Sequence, residues 1–227
     1  MIWRSSHCPT CDAGVKIYDN IPLLGYLILR GCCRSCGVPI SPQYPIVELV
    51  NGLGYALIVR YFGVEGEAII YALLFSALIV VSFIDFYHHI IPDRITLPGI
   101  VIGLICGATI LPLGFVSSVL GVLVGGGMLW GVAWLSPYIF GKEGMGGGDI
   151  KLLAMIGAFL GWKSTILTIM IGSLVGSVAG TGLILLKFRR REQYLPFGPF
   201  LALAAFVSML YHQQILTWYM NLMVGVR

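Results

Sequence analysis

Seven apolar stretches, at about 46–62, 67–84, 95–112, 115–140, 150–161, 164–187 and 198–223, leave this 227-residue chain few ways to fold in water. Runs of that length with so few charges read as membrane-spanning helices, and only the one near 150–161 is short. Composition agrees, with 58% hydrophobic residues, 11% charged residues and a mean hydropathy of +0.91. A soluble domain does not carry such a balance. The expected fold class is an all-α polytopic membrane protein with about seven transmembrane helices and a small N-terminal cytoplasmic zinc-binding segment.

Lysine and arginine orient it, because cytoplasmic loops carry the excess of both. With the N-terminal segment inside, Arg4, Lys16, Arg30, Arg34, Arg94, Lys142, Lys151, Lys187, Arg189, Arg190 and Arg191 fall on the cytoplasmic side. Only Arg60, Lys163 and Arg227 fall outside, and an odd number of spans leaves the C-terminus there too. The net charge of +4 follows from this bias and requires no nucleic-acid partner. The run Lys187–Arg191 reads as an anchor at the lipid headgroups.

Residues 1–44 form a polar preface to a membrane domain spanning 45–227. It contains two Cys-x-x-Cys pairs, Cys8 with Cys11 and Cys33 with Cys36. Four thiolates at that spacing match a tetrahedral zinc, and a segment on the reducing side does not keep disulfides. A site with four protein ligands has no open position, so the metal would be structural. Cys32 adjoins the second pair as a bystander that could substitute for Cys33, and Cys106 lies inside an apolar span as a packing residue. The interior of the segment, Tyr18–Leu27, is apolar enough to rest on a membrane face.

Two acids interrupt the apolar pattern at comparable depth. Asp149 closes the glycine-rich run Gly146-Gly147-Gly148 and opens an apolar helix, where it is either an N-cap or a reactive carboxyl. Asp85 ends the apolar run 71–84, about 27 Å along a helix counted from Glu67, which puts it at the cytoplasmic edge of the hydrocarbon layer. Two carboxyl groups facing each other across a small gap share one proton. Such a pair can take a proton from water and give one to a scissile carbonyl, hydrolysing a peptide bond without metal or covalent intermediate. The helix dipole favours Asp149 as the charged member.

Other polar residues have simpler readings. Asp93, after Pro92, caps the next helix; His88 and His89 are interfacial; Glu48 sits at the cytoplasmic edge or pairs with a buried base. Glycines at 121, 125, 126, 127 and 131, and at 172, 176 and 180, let helices approach closely. Gly144-Met145-Gly146 lacks the third spaced glycine and the preceding strand of a dinucleotide loop. Leu195–Ala202, with Pro196 and Pro199, starts the last span, or presents backbone groups to an extended peptide.

Together these residues resemble the bacterial type IV prepilin peptidase family. The resemblance is carried by Cys8, Cys11, Cys33 and Cys36, by Asp85 with Pro92-Asp93, and by Gly146-Gly147-Gly148-Asp149. Asn20-Ile21-Pro22, Tyr44-Pro45-Ile46-Val47-Glu48 and Pro196-Phe197-Gly198-Pro199-Phe200 also match family sequence. It implies an intramembrane-type aspartic endopeptidase with Asp85 and Asp149 as the catalytic pair. It further implies prepilin or pseudopilin substrates of type IV pili and type II secretion, cut after glycine at the cytoplasmic face of the bacterial inner membrane. The implied second activity is N-methylation of the new N-terminus with S-adenosylmethionine, for which no residue here marks a site. Family members ordinarily have a further span before the first cysteine pair, whereas here Met1–His7 leads almost directly into Cys8.

Two other readings make different demands. A presenilin- or signal-peptide-peptidase-like protease would place its acids deep in the bilayer and has no use for paired Cys-x-x-Cys. A proton-coupled transporter would show inverted repeats and acids near the midplane. The sequence shows neither.

Overall fold

The computed structural model describes residues 6–141, 146–186 and 196–224. Its elements are helical: a short 3-10 turn at Ile17–Asn20, then α1 (Leu24–Ile28), α2 (Gln43–Phe62), α3 (Gly66–His88), α4 (Asp93–Thr109), α5 (Phe115–Phe140), α6 (Gly147–Leu185) and α7 (Gly198–Val224). Every apolar stretch of the sequence lies largely in a helix. The Gly144-Met145 part of the glycine loop and the Lys187–Arg191 run lie outside the described residues.

Among the described residues, four helices are long and apolar enough to cross a membrane by length and composition: α3, α5 over Phe115–Tyr138, α6, and α7 over Gly198–Leu222. That is fewer than the seven spans expected. With 17 residues, α4 reaches about 26 Å, short of a hydrocarbon layer of about 30 Å. Helix α2 carries Glu48, Asn51 and Arg60 among its apolar residues.

Compactness divides the chain into Met1–Leu57 and Ile58–Arg227, with the division inside α2. In the first unit the two Cys-x-x-Cys turns are built alike. The Cys8 amide donates to the Ala13 carbonyl and the Asp12 amide to that of Cys8; twenty-five residues on, Cys33 donates to Val38 and Gly37 to Cys33. Asp12 and Gly37 occupy the same left-handed position, φ +55° and +71°. Isolated bridges close each turn, His7 with Gly14 and Cys32 with Pro39. By this repeat, Cys32 corresponds to His7 and stands just outside the second knuckle.

In the second unit the first limb of α6 is the core element. Residues 152–161 are buried all round, as expected of a helix surrounded by others. At Gly161 the backbone leaves helical geometry, φ +74° and ψ 170°, conformations that glycine alone adopts without strain. A side chain at Gly125 of α5 would meet both the Leu153 carbonyl and the Thr165 methyl, at 2.6 and 3.1 Å. Twelve residues of straight helix would separate those two by about 18 Å, so the chain turns back at Gly161. Helix α6 is therefore a hairpin of two limbs, 147–160 and 162–185, matching the separate stretches near 150–161 and 164–187.

Glycines set the helix spacing. Gly121 of α5 and Gly157 of α6 lie with each one's missing side chain against the other's carbonyl. Gly172 and Gly176 on the second limb face Phe197, Phe200, Leu201 and Ala204 of α7. A stripe not singled out in the sequence, Gly99, Gly103 and Gly107 of α4, meets Met155, Ala158, Phe159 and Ser118. Small residues four apart bring the backbones together, and the contact they allow is the packing energy available where lipid removes the hydrophobic drive.

Candidate active site

Asp85 ends a buried seam. Tyr71, Leu74, Leu78 and Val81 of α3 are buried at alternating spacings of three and four, and Asp85 continues the series. Its side chain thus faces the helix bundle and is 3% exposed. Helix α3 closes four residues later, where His89 takes a left-handed conformation, φ +54°, and its amide donates to the Asp85 carbonyl at 2.8 Å. That accounts for His89 without a metal.

Asp149 arrives from α6. The residue in the N-cap position is Gly146, so Asp149 is the third residue of the helix and not its cap; its own amide donates to the Gly146 carbonyl at 3.2 Å. It too is 3% exposed. Gly148 explains how it gets there. A Cβ at that position would stand 2.8 Å from Ile91 Cβ, so only glycine lets the start of α6 lie against the chain between α3 and α4. The structure brings the two carboxyl groups close enough for their charges to act on each other.

Their surroundings differ. Asp85 Oδ2 accepts a buried hydrogen bond from the Gly198 amide at the start of α7, 2.9 Å. Asp149 Oδ1 is buried and has no hydrogen-bond partner among the described residues. The stretch around Pro196 and Pro199 is a helix start, with Pro199 in the first turn of α7, and the Gly198 amide goes to Asp85.

Asp93 is not a cap. It is the first residue of α4 and makes no capping bond; instead both its oxygens accept from Lys151 Nζ, at 2.8 and 2.7 Å. Half exposed, such a pair is worth at most about 1 kcal/mol. Its geometry still ties the start of α4 to the residue two beyond Asp149. Sequence spacing missed it because the partner is 58 residues away.

In the first unit, Cys8, Cys11, Cys33 and Cys36 place their sulfurs within 4.8 Å of one another, with Cys8 3.9 Å from Cys36 and Cys11 4.0 Å from Cys33. Tetrahedral zinc with Zn–S bonds of about 2.3 Å requires sulfurs about 3.8 Å apart. The four residues fit that ion, and all six cysteines of the chain are free thiols. Backbone amides favour the thiolate at two of the four: those of Cys11 and Thr10 hold Cys8 down at about 6, and those of Cys36 and Ser35 lower Cys33, whereas Cys11, despite the Ala13 amide, is pushed up to about 12 by the neighbouring thiols and burial. Cys32 is outside the cluster. Glu48 pairs with no base among the described residues; its Oε2 accepts from the amide of Leu23, a residue at positive φ, +61°, at 2.7 Å.

Residues 72–181 match the type IV leader peptidase family, and residues 1–62 match the bacterial peptidase A24 N-terminal domain. The chain is 41% identical to the prepilin leader peptidase/N-methyltransferase of Stutzerimonas stutzeri over 95% of its own length and 75% of the relative's. It is 41% identical to that of Aeromonas hydrophila and 39% identical to that of Pseudomonas aeruginosa, each over 97% of this chain and 76% of the relative. No solved structure matches it.

Proposed function

The chain belongs to the type IV leader peptidase family, and from that premise we propose that it is a membrane aspartic endopeptidase cutting the leader from prepilins or pseudopilins. Asp85 and Asp149 are its catalytic pair. The observation that supports this reading is the burial of two carboxyl groups from different helices, within electrostatic reach of each other, beside the point where Gly148 lets α6 approach. One is ionised and the other protonated. The ionised carboxylate takes a proton from water, the water oxygen bonds to the scissile carbonyl carbon, and the neutral acid protonates the carbonyl oxygen. When the tetrahedral species collapses, the C–N bond breaks, the amine leaves with the proton the base had taken, and one hydroxyl on the carbon returns its proton to the other carboxylate as the C=O bond re-forms.

Methylation of the exposed N-terminus is the second activity, as the relatives' names carry it. S-adenosylmethionine supplies an electrophilic methyl group to that amine. The zinc held by Cys8, Cys11, Cys33 and Cys36 is structural, since four thiolates fill its coordination. Residues 1–44 are the zinc-binding segment and 45–227 the membrane domain. We place the protein in the bacterial inner membrane with the N-terminal segment cytoplasmic. Seven crossings are made by α2, α3, α4, α5, the two limbs of α6, and α7, the lysine and arginine bias giving the direction.

The test is to incubate the full chain with a prepilin and follow leader loss by mass. Wild type is expected to release the leader, and Asp85→Asn or Asp149→Asn to release none. Undiminished cleavage by either amide variant overturns the assignment of the pair.

A further inference from the structure

Helix α7 begins with a donor in need of an acceptor. The Phe197 carbonyl accepts the first helical bonds, from the amides of Phe200 and Leu201, which leaves the Gly198 N–H unpaired within its own helix. Pro199 next to it has no N–H to offer. The Gly198 amide is spent on Asp85 Oδ2, 2.9 Å away, buried and 113 residues distant in sequence.

Residue 198 is also where a side chain would do most damage to that acid. A Cβ would lie 2.7 Å from Asp85 Oδ2, 3.2 Å from its Cγ and 3.3 Å from its Cβ. The backbone does not demand glycine, since Gly198 is not among the positions with positive φ. Glycine is a poor helix former, so the helix does not demand it either. What requires a residue with an N–H and no side chain is the carboxyl group of Asp85.

The two acids are thereby made unequal. A backbone N–H donating to a carboxyl oxygen stabilises the ionised carboxylate. A buried oxygen with no donor, as at Asp149 Oδ1, is costly on a charged group and cheaper on a neutral one. We propose that Gly198 is a positioning residue of the peptidase: its N–H fixes the Asp85 carboxylate and its missing side chain makes room for it. Asp85 then takes the proton from water, while Asp149 supplies one to the scissile carbonyl. The local dipole points to the opposite assignment, but a direct buried hydrogen bond outweighs a partial charge at the helix end. The proposal rests on the reading of Asp85 and Asp149 as the peptidase pair.

Gly198→Ala in the full-length purified protein is the test, with wild type and Asp149→Asn run beside it on the same prepilin. The variant should lose about 100-fold in kcat, the scale of a misplaced catalytic group, with KM within about twofold. Melting temperature supplies a readout that general damage to α7 would not reproduce. Gly198→Ala should lower it by several degrees when Asp85 is present and by clearly less in an Asp85→Ala background, where the carboxyl group it strikes is gone and only the Cβ at 3.3 Å remains. If Gly198→Ala alone does not fold, Asp85→Ala should restore folding. Cleavage by Gly198→Ala within about threefold of wild type, or an equal loss of melting temperature in both backgrounds, overturns the proposal. A wild type that does not cleave overturns the reading of the pair, and the catalytic claim for Gly198 with it.

Discussion

A methyl group at Gly148 would stand 2.8 Å from Ile91 Cβ, whereas one at Gly147 would meet nothing within 4 Å. Ile91 cannot yield by a rotamer change, because the atom struck is attached to its backbone. Gly148→Ala should therefore push the start of α6 away, costing about 1–3 kcal/mol in thermal unfolding and lowering leader cleavage. Gly147→Ala should be neutral or gain up to about 1 kcal/mol from helix propensity. Equal effects of the two would show that the glycine run only turns the chain. Another residue-scale expectation concerns Asp19, whose carboxyl is held below the usual carboxylate range by the Arg34 guanidinium, with bonds of 2.8 and 2.6 Å. A depressed folded pKa adds stability above the unfolded value of about 3.9, and that stability is lost as pH falls through the lower folded value. Wild type should thus melt above Asp19→Asn at neutral pH, and the difference should close as melts are repeated below about pH 4. At this scale the sequence singled out two acids but not what holds them. Asp85 and Asp149 stood out as carboxyls within apolar runs, while Lys151 and Gly198, 58 and 113 residues from their partners, carry no signal in local spacing.

Helices were legible because lipid enforces them: each apolar stretch had to satisfy its own backbone, and each lies largely in a helix. The gap between 161 and 164 already separated the limbs of α6, since Gly161-Trp162-Lys163 breaks the apolar run. Span number was less legible, because length and hydropathy cannot tell a short α4 from a full crossing. The glycine stripes were recognisable as packing devices, but only the fold says which backbone each one meets. Gly157→Val should cost about 3 kcal/mol or more, its side chain falling on the Gly121 carbonyl, while Gly131→Val, which meets nothing within 4 Å, should change the unfolding midpoint little. The four-cysteine segment is likewise one knuckle used twice. Metal analysis of the purified chain should find one zinc, lost in Cys11→Ser or Cys36→Ser and kept in Cys32→Ser. Zinc retained in Cys33→Ser would mean that Cys32 takes its place, the alternative that spacing alone left open.

For the molecule as a whole, the question is which way the chain crosses the membrane on either side of the acids. A straight helix of 39 residues would run about 58 Å, roughly twice the hydrocarbon thickness. The reversal at Gly161 replaces that rod with two limbs and returns Leu185 to the side on which Gly147 began. This return fits the charge bias, since Lys151, near the start of the first limb, lies on the side to which the second limb comes back, leaving Lys163 at the turn on the other. It also lets α7 start at the level of Asp85, as the Gly198 bond requires. Alkaline phosphatase fused after Lys163 should accordingly be active in the periplasm, and fusions after Gly141 and after Leu186 should be inactive. Were α6 a single crossing, Leu186 would report the periplasm instead. The start of α7 would then lie across the membrane from the end of α3, where its amide could not reach the Asp85 carboxylate.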